Sequence, residues 1–315
     1  MNLHDAMTMK KVLVIYFTQS GQLHKAVTAT LRSLEKNSEV TLDYENLRPA
    51  TPFPFPWTYM QFFDAFPETV QGIPCAMLPY QFNPATDYDL VIIAYQPWFL
   101  SVSRPVDSFL QSPEAARLLK GKPVVTILAC RNMWLNAQEK MKVHLKRLDA
   151  RLMGNITFVD RSSNLVSLIT VLAFALGGVR DKFLGIFPKY GVPDEELERS
   201  AWKFGDVIQS HLNTGNYSGM QQELVKQGAI NIKPNLMIME KRGKVLFPLY
   251  ARFILKKGNS SSKDRRTRVR IFGIALPTAI LLLSPLITII SRLLPLLFPS
   301  RFRRETEYYS GNELR

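Results

Sequence analysis

A short polar segment near the start of the chain combines the residue types that hold a phosphate group. It offers two hydroxyl side chains, two amide side chains and one glycine, and it contains no lysine or arginine. Backbone N–H groups at the start of a helix, helped by such hydroxyls, bind a phosphate monoester. The patterns GxxxxGK[ST] and GxGxxG are both absent. The segment therefore predicts a site for the phosphate of a mononucleotide, with an ordinary polar turn as the alternative. Its residues are Thr18, Gln19, Ser20, Gly21, Gln22 and Leu23.

The elements around this segment predict an α/β domain over residues 10–213. Apolar, β-branched runs of strand length alternate with stretches of helical periodicity, which is typical of a parallel sheet covered on both faces. The second run alternates apolar and polar residues, so we expect it near a sheet edge. We predict a doubly wound, five-stranded parallel sheet. The predicted strands are Lys11–Phe17, Glu39–Tyr44, Asp89–Tyr95, Pro123–Ala129 and Ile156–Val159, and the predicted helices are His24–Leu34, Pro105–Leu119, Asn136–Leu152 and Glu195–Leu212.

Within this sheet, Thr18–Gln22 resembles the T/S-x-T/S-G-x-T loop of flavodoxins and flavodoxin-like oxidoreductases. The resemblance implies a flavodoxin-like fold and FMN as the cofactor, with the loop cradling the FMN phosphate. The sequence departs from the pattern at Leu23, which stands where the family has a hydroxyl residue. One expected hydrogen bond to the phosphate is therefore missing.

The same resemblance implies that the flavin ring lies between the loops that follow the third and fourth strands. Trp98, Phe99 and Trp134 there offer aromatic faces for stacking, and Arg131 or Asn132 offers N–H donors to the pyrimidine edge. The alternative is that the two tryptophans only close the top of the sheet. Cys130 is expected to be a core thiol, and no catalytic residue is assigned. The candidate residues of these loops are Gln96, Pro97, Trp98, Phe99, Cys130, Arg131, Asn132, Met133 and Trp134.

At greater length, over residues 10–210, the chain is similar to bacterial proteins labelled dialkylresorcinol-condensing enzymes. The similarity lies in KVLVIYFTQSGQLHKAV, in AYQPWFLSVSRPVDSFL and in the late apolar tail. It implies FMN-dependent aromatisation of a dialkyl-cyclohexanedione to a dialkylresorcinol, with a ketosynthase and an acyl carrier protein as partners. An NAD(P)H-dependent flavin or quinone reductase is the nearest rival. A cofactor-free membrane scaffold for a biosynthetic complex is the third hypothesis, and the departure at Leu23 favours it.

Three segments fall outside the minimal alternation of strands and helices. Pro49–Tyr80 is rich in proline and aromatic residues, and it predicts either a lid over the site or a packed surface loop. Within residues 164–190 an apolar run of 12 residues, Leu165–Leu176, predicts a buried helix, because it is too short to cross a bilayer. Residues 214–262 show no strong period and are interpreted as a connecting region.

The C-terminal residues 263–304 predict a membrane-associated helical segment. Ile271–Ser291 carries no charge over 21 residues, prolines interrupt it, and basic residues flank it on both sides. Positive flanks favour the cytoplasmic side, so we expect the protein on the cytoplasmic face of the inner membrane. Either a helix pair turning near Ser284–Pro285 or a single span fits this pattern. A buried helix pair that makes a homodimer is the alternative.

The charge distribution argues for lipid rather than nucleic acid as the partner of the basic segment. The net charge is +14, and residues 241–304 alone hold 15 of the 40 basic residues and one of the 26 acidic residues. The rest of the chain is neutral. Basic residues around an apolar run are typical of contact with an anionic membrane. The two cysteines give neither a disulfide framework nor a metal-binding spacing, so no metal site is predicted.

Overall fold

A five-stranded parallel sheet forms the centre of the protein in the computed structural model, which describes residues 9–160, 162, 164–181 and 184–314. The strand order is β2-β1-β3-β6-β7, and a separate antiparallel hairpin pairs β4 with β5. Counting only the main sheet, this order is 2-1-3-4-5, the flavodoxin-like arrangement. The strands are β1 (Lys10–Tyr16), β2 (Val40–Asn46), β3 (Leu90–Tyr95), β4 (Pro97–Trp98), β5 (Ser101–Val102), β6 (Pro123–Cys130) and β7 (Arg151–Val159).

Helices cover both faces of the sheet, as continuous apolar strands require. One core cluster lies beneath α4, α5 and α6, and a second lies beneath α1, α8, α9 and α10. The helices are α1 (Gln22–Glu35), α2 (Tyr59–Asp64), α3 (Phe66–Gln71), α4 (Arg104–Leu110), α5 (Pro113–Leu119), α6 (Leu135–Arg147), α7 (Asn164–Gly177), α8 (Asp194–Ser200), α9 (Trp202–Thr214), α10 (Met220–Lys226), α11 (Pro234–Leu255), α12 (Arg266–Leu297) and α13 (Pro299–Ser310). The predicted α/β sheet and the edge position of its second strand are thus confirmed.

Several predicted boundaries are wrong. The region 105–119 holds two helices, because the Ser112 side chain caps a new helix that starts at Pro113. The helix predicted over residues 136–152 ends at Arg147, and the chain then turns through Asp149 with a φ of 55°. The last strand begins at Arg151, opposite Pro123 of β6. Pairing with a buried neighbour overrides the helical periodicity here.

Helix α1 and helix α9 approach each other very closely. A β-carbon added to Gly205 of α9 would lie 2.0 Å from the carbonyl oxygen of Thr30 in α1. The absence of a side chain at Gly205 therefore sets the separation of the two helices. Because α1 begins at the polar loop, this contact also fixes the helix on which the loop rests.

The C-terminal helices differ from the sequence prediction. Helix α12 is continuous from Arg266 to Leu297, so the predicted turn near Ser284–Pro285 is wrong. A proline removes one hydrogen bond and bends a helix without reversing it, and contacts with α2 and α11 support the first half of α12. In the described part of the chain, no helix combines the length and the apolarity needed to cross a bilayer.

Residues 214–262 contain a long helix that periodicity did not reveal, since α11 runs from Pro234 to Leu255. Arg265, a buried residue between α11 and α12, connects this region to α2 and α3. The Arg265 guanidinium contacts the carboxylate of Asp64 at 2.7 Å and that of Glu68 at 2.6 Å. These contacts hold α2 and α3 against the C-terminal helices.

Candidate functional site

A cavity of about 290 Å³ lies at the carboxyl edge of the sheet. The ends of β3 and β6 and the start of α1 form its floor, while α2, α7, α11 and α12 contribute its walls. Strand order reverses between β1 and β3, and ligands of open α/β sheets bind at such a point. The polar loop and both predicted ring-binding loops meet there.

The polar loop leads into a helix whose start receives no side-chain cap from the described part of the chain. Gly21 precedes α1 with a φ of 80°, a conformation that a glycine adopts without strain. The Gly21 N–H donates to Oγ1 of Thr18 at 3.1 Å, which folds the loop back on itself. The first turn of α1 carries no acidic side chain. Uncapped N–H groups and the positive end of the helix dipole are suited to a phosphate.

The two glutamine side chains of the loop form hydrogen bonds to two segments that lie over it. Gln19 donates to the carbonyl of Pro54, and Gln22 donates to the carbonyl of Tyr190 at 3.1 Å. A β-carbon on Gly191 would lie 2.0 Å from the Gln22 amide nitrogen and would displace it, and the φ of 88° at this position favours glycine. The glutamines therefore position the segments 49–80 and 164–190, both of which contribute to the cavity wall.

Leu23 occupies a core position at the start of α1. Its side chain is fully buried among the apolar residues beneath the helix, and it also reaches the cavity wall. A hydroxyl at this position would be buried against apolar neighbours unless a ligand paired with it. The departure from the loop pattern thus places a packed leucine side chain where the pattern has a hydroxyl.

Aromatic rings line the side of the cavity that faces the proline-rich segment. The rings of Trp57 and Trp98, which line it, lie 5.8 Å apart at 80°. The ring of Phe53 does not line the cavity but lies 5.1 Å from that of Trp98 at 79°. Edge-to-face contacts of this kind hold each ring in one orientation. Of the two predictions for Pro49–Tyr80, the lid fits better, because Phe55, Trp57 and the α2 side chains form part of the wall.

The hairpin that carries Trp98 holds a strained turn. Phe99 and Leu100 both have positive φ values, of 48° and 60°, and neither is glycine. Positive φ at bulky residues costs roughly 1–3 kcal/mol each. Packing holds them in place, since Phe99 lies against Phe62 at 5.2 Å, and Leu100 fits where Gly243 of α11 has no side chain.

Gln96 presents a buried acceptor beside the cavity. Its side-chain oxygen is buried and has no hydrogen-bond partner among the residues that the structure describes, and the residue lines the cavity. A buried acceptor left unpaired costs roughly 1–3 kcal/mol. An N–H group of a bound heterocycle would satisfy it. Pro97 follows directly and also lines the cavity.

A polar corner lies where β6 ends, around Arg131. Its guanidinium donates from Nε to Oγ of Ser167 at 2.8 Å, and burial lowers the pKa of Arg131 to about 10. The side chain is therefore still cationic at neutral pH. Burial raises the pKa of Tyr190 and that of the Cys130 thiol, so both are protonated. Cys130 is only partly buried: it packs against the core at the end of β6 and also lines the cavity, so the prediction of a core thiol is only partly met.

Comparison with known proteins finds similarity to solved structures, at low sequence identity. No protein-family model matches the chain, and no curated protein matches its sequence. A flavoprotein from Lactobacillus acidophilus, crystallised with FMN, is 14% identical over 47% of this chain and 93% of its own, with a TM-score of 0.38. A candidate flavoprotein from Bacteroides uniformis is 16% identical over 49% of this chain and 92% of its own, with a TM-score of 0.37. Another from Bacteroides eggerthii is 20% identical over 52% of this chain and 97% of its own, with a TM-score of 0.36.

The predicted site residues divide into two groups. Most of them line the cavity, but Thr18, Gly21 and Trp134 do not. Trp134 lies in the core, 2% exposed, and its indole N–H donates to the carbonyl of Asn231 at 3.4 Å. It therefore offers no stacking face and fits the alternative that it closes the top of the sheet. The predicted residues that line the cavity are Gln19, Ser20, Gln22, Leu23, Gln96, Pro97, Trp98, Phe99, Cys130, Arg131, Asn132 and Met133.

Other cavity residues were not predicted from the sequence. Trp57 lies in the aromatic-rich segment, so its composition was the available signal. Tyr190 and the α12 residues reach the cavity through contacts far apart in sequence, and no local pattern marks them. These additional wall residues include Trp57, Phe62, Val171, Leu172, Tyr190, Leu276, Pro277 and Ile280.

Proposed function

We propose that this protein binds FMN and is an oxidoreductase for a lipophilic cyclic substrate. The observation that carries the proposal is the uncapped start of α1 opening into an aromatic-walled cavity at the β1/β3 switch point. FMN binds at this point in flavodoxin-like folds. The cavity volume of about 290 Å³ lies just below the range of roughly 300–1,000 Å³ for ligand pockets.

The residues present fit FMN. Ser20 and the first N–H groups of α1 would hold its phosphate, and Trp98 would offer an aromatic face to the ring. The unpaired oxygen of Gln96 would accept from a ring N–H group. Arg131 would place a positive charge near the ring, which stabilises a reduced, anionic flavin.

The substrate proposed is a dialkyl-cyclohexanedione, converted to a dialkylresorcinol. Bound FMN would supply the oxidation by accepting a hydride equivalent from a ring carbon. A 1,3-dione is itself acidic, so it enters readily as the enolate, and Arg131 is the one cation among the described cavity-lining residues that would pair with the enolate oxygen. The ring loses one hydride and one proton in total. The largely apolar cavity wall supports a substrate with alkyl chains.

We further propose that the protein acts at the cytoplasmic face of the inner membrane, where such a substrate is dissolved. Support comes from the exposed apolar side chains of α11 and α12, among them Leu249, Ile274 and Leu282, within the basic stretch 241–304. A ketosynthase and an acyl carrier protein remain the predicted partners for supply of the substrate.

The visible spectrum of the full-length protein, purified in detergent, tests the cofactor. We expect flavin absorbance, and we expect Gly21→Ala to weaken FMN binding at least tenfold, because an alanine at a φ of 80° strains the loop that would hold the phosphate. Gly215→Ala is the matched control: Gly215 has a φ of 67° and the same open surroundings, but it caps α9 away from the cavity. Protein that stays colourless after reconstitution with FMN refutes the proposal.

Anaerobic titration of the FMN-loaded protein then tests the reaction. Bleaching of the flavin by a dialkyl-cyclohexane-1,3-dione, with the resorcinol as the product, supports the aromatising oxidoreductase. Bleaching by NADPH alone supports the reductase instead. We expect Arg131→Gln to slow bleaching by the dione more at neutral pH than at acidic pH, where the substrate is no longer an enolate.

A further inference from the structure

Helix α12 contributes to both the cavity wall and the protein surface. Leu276, Pro277 and Ile280 line the cavity, and on the neighbouring side Val171 and Leu172 of α7 line it as well. All five side chains are partly exposed rather than buried. The boundary between α7 and α12 is therefore apolar, and no fully buried side chain among these five closes it.

One stripe of α12 runs from the core to the surface past this boundary. Residues spaced three or four apart share a helix face, which places Phe272, Leu276, Ile280 and Leu283 in a row. Phe272 is 3% exposed, Leu276 and Ile280 are half-buried at the cavity, and Leu283 is 49% exposed. An apolar surface thus continues without interruption from the cavity to the outside.

The outer surface of α11 and α12 carries many exposed apolar side chains, which we together term the apolar face. A surface patch of this kind marks an interaction site in a soluble chain. Its members, all exposed, are Val245, Leu246, Leu249, Tyr250, Phe253, Ile271, Ile274, Leu281, Leu282, Leu283, Leu286, Ile289, Ile290, Leu293, Leu296, Leu297 and Phe298.

The charge around the apolar face identifies the kind of partner. Residues 241–304 hold 15 basic residues against the single acid Asp264, and Arg252, Lys256 and Arg270 are exposed. Two copies of this face brought together would repel each other. An anionic lipid surface complements both the apolar residues and the basic surroundings.

We infer that the apolar face rests on an anionic lipid surface and that the boundary between α7 and α12 is the entrance through which an alkyl chain passes from lipid into the cavity. The reaction that an entering chain would undergo rests on the proposed function, but the path from lipid to cavity does not. A chain that crosses water exposes every methylene, whereas this route keeps it in apolar surroundings throughout.

Photolabelling of the full-length protein tests the path without relying on activity. The protein is bound to vesicles of phosphatidylcholine and phosphatidylglycerol that contain either a diazirine-bearing palmitic acid or a phospholipid with the same chain. After irradiation, mass spectrometry maps the labelled residues. We expect the phospholipid to label the apolar face only, and the free fatty acid to label the face and also Phe62, Val171 and Leu172 inside.

A bulky substitution at the entrance provides the decisive comparison. We expect Ile280→Trp to reduce labelling inside the cavity at least fivefold while labelling of the apolar face and vesicle binding stay unchanged. Ile289→Trp is the matched control, since Ile289 lies on the same helix, is 58% exposed and does not line the cavity. Circular dichroism verifies that both variants fold.

The outcomes separate the entrance from the cofactor. Equal labelling inside the cavity in Ile280→Trp and in wild type would refute the entrance. Failure to bind anionic vesicles, with sedimentation as a dimer formed through the apolar face, would also refute it. FMN content is measured on the same samples. If the protein lacks FMN but still shows the expected labelling, the entrance is supported and the proposed function is refuted. If FMN-loaded protein shows no labelling inside the cavity, the entrance is refuted and the FMN part of the proposed function is supported.

Discussion

Replacing Glu240 with glutamine will change how the stability of the protein depends on pH. Glu240 of α11 is 2% exposed, and its carboxylate accepts the N–H of Asn136 at 2.9 Å. Burial raises the pKa of Glu240 to about 7, while hydrogen bonds from the N–H groups of Asn136, Leu135 and Trp134 at the start of α6 act in the opposite direction. The two effects compete, and burial is the larger.

A carboxyl group with a raised pKa in the folded state stabilises the fold only while it is protonated. Its contribution is complete below the unfolded value of 4.5 and is lost as the pH rises through about 7. A shift of this size corresponds to about 3 kcal/mol between pH 4.5 and pH 8, at about 1.4 kcal/mol per pKa unit. The Glu240→Gln variant has no such titration.

Urea denaturation of both proteins at pH 5, 6, 7 and 8 measures this contribution. The difference in free energy of unfolding, wild type minus Glu240→Gln, should fall by about 2.5 kcal/mol from pH 5 to pH 8. All other titrating groups cancel in the difference. A difference that rises with pH would show that the three N–H donors dominate and that Glu240 is a charged cap of α6, which refutes the reasoning from burial.

Three further changes have defined outcomes. Arg265→Met should lower the free energy of unfolding by about 3–5 kcal/mol, because it leaves two acidic partners unpaired, whereas Arg266→Met, at an exposed neighbour, should have little effect in the same denaturation assay. Gly205→Ala should lower the thermal midpoint far more than Gly215→Ala, since only the former meets a backbone oxygen, at 2.0 Å. Leu100→Gly removes backbone strain but also a packed side chain, and we expect weaker FMN binding by titration; unchanged binding would mean that the hairpin does not position Trp98.

The sheet was predictable because its signal is local. Lys11–Phe17 and Asp89–Tyr95 are continuous apolar runs, and their buried counterparts β1 and β3 lie at the centre of the sheet. The polar loop was equally visible, because it directly follows the first of these strands. Its residues other than Thr18 border the cavity, apart from Gly21, whose role is conformational.

The rest of the cavity could not be predicted for a physical reason. Trp98 and Trp134 look alike in sequence, since each follows a buried strand in a polar loop. Their tertiary contacts distinguish them. Trp98 lies at the strained turn of the hairpin, whereas the Trp134 side chain is buried in the core beneath α11. Tyr190 reaches Arg131 because Gln22, 168 positions earlier, holds its carbonyl.

The C-terminal helices are part of the site, and this changes how membrane attachment must be tested. Phe247 of α11 and Ile280 of α12 line the cavity, and Arg265 holds α2 and α3 in place. The end of the chain also returns to the sheet domain, where Lys142 donates to the carbonyl of Glu313. Deleting residues 258–315 would therefore open the cavity and remove a buried ion pair along with the apolar face. Loss of membrane binding in that deletion would not distinguish unfolding from loss of the membrane contact.

Charged substitutions at exposed positions, such as Leu282→Glu and Ile289→Glu, change the apolar face alone. They should release the protein from vesicles while its thermal midpoint stays unchanged.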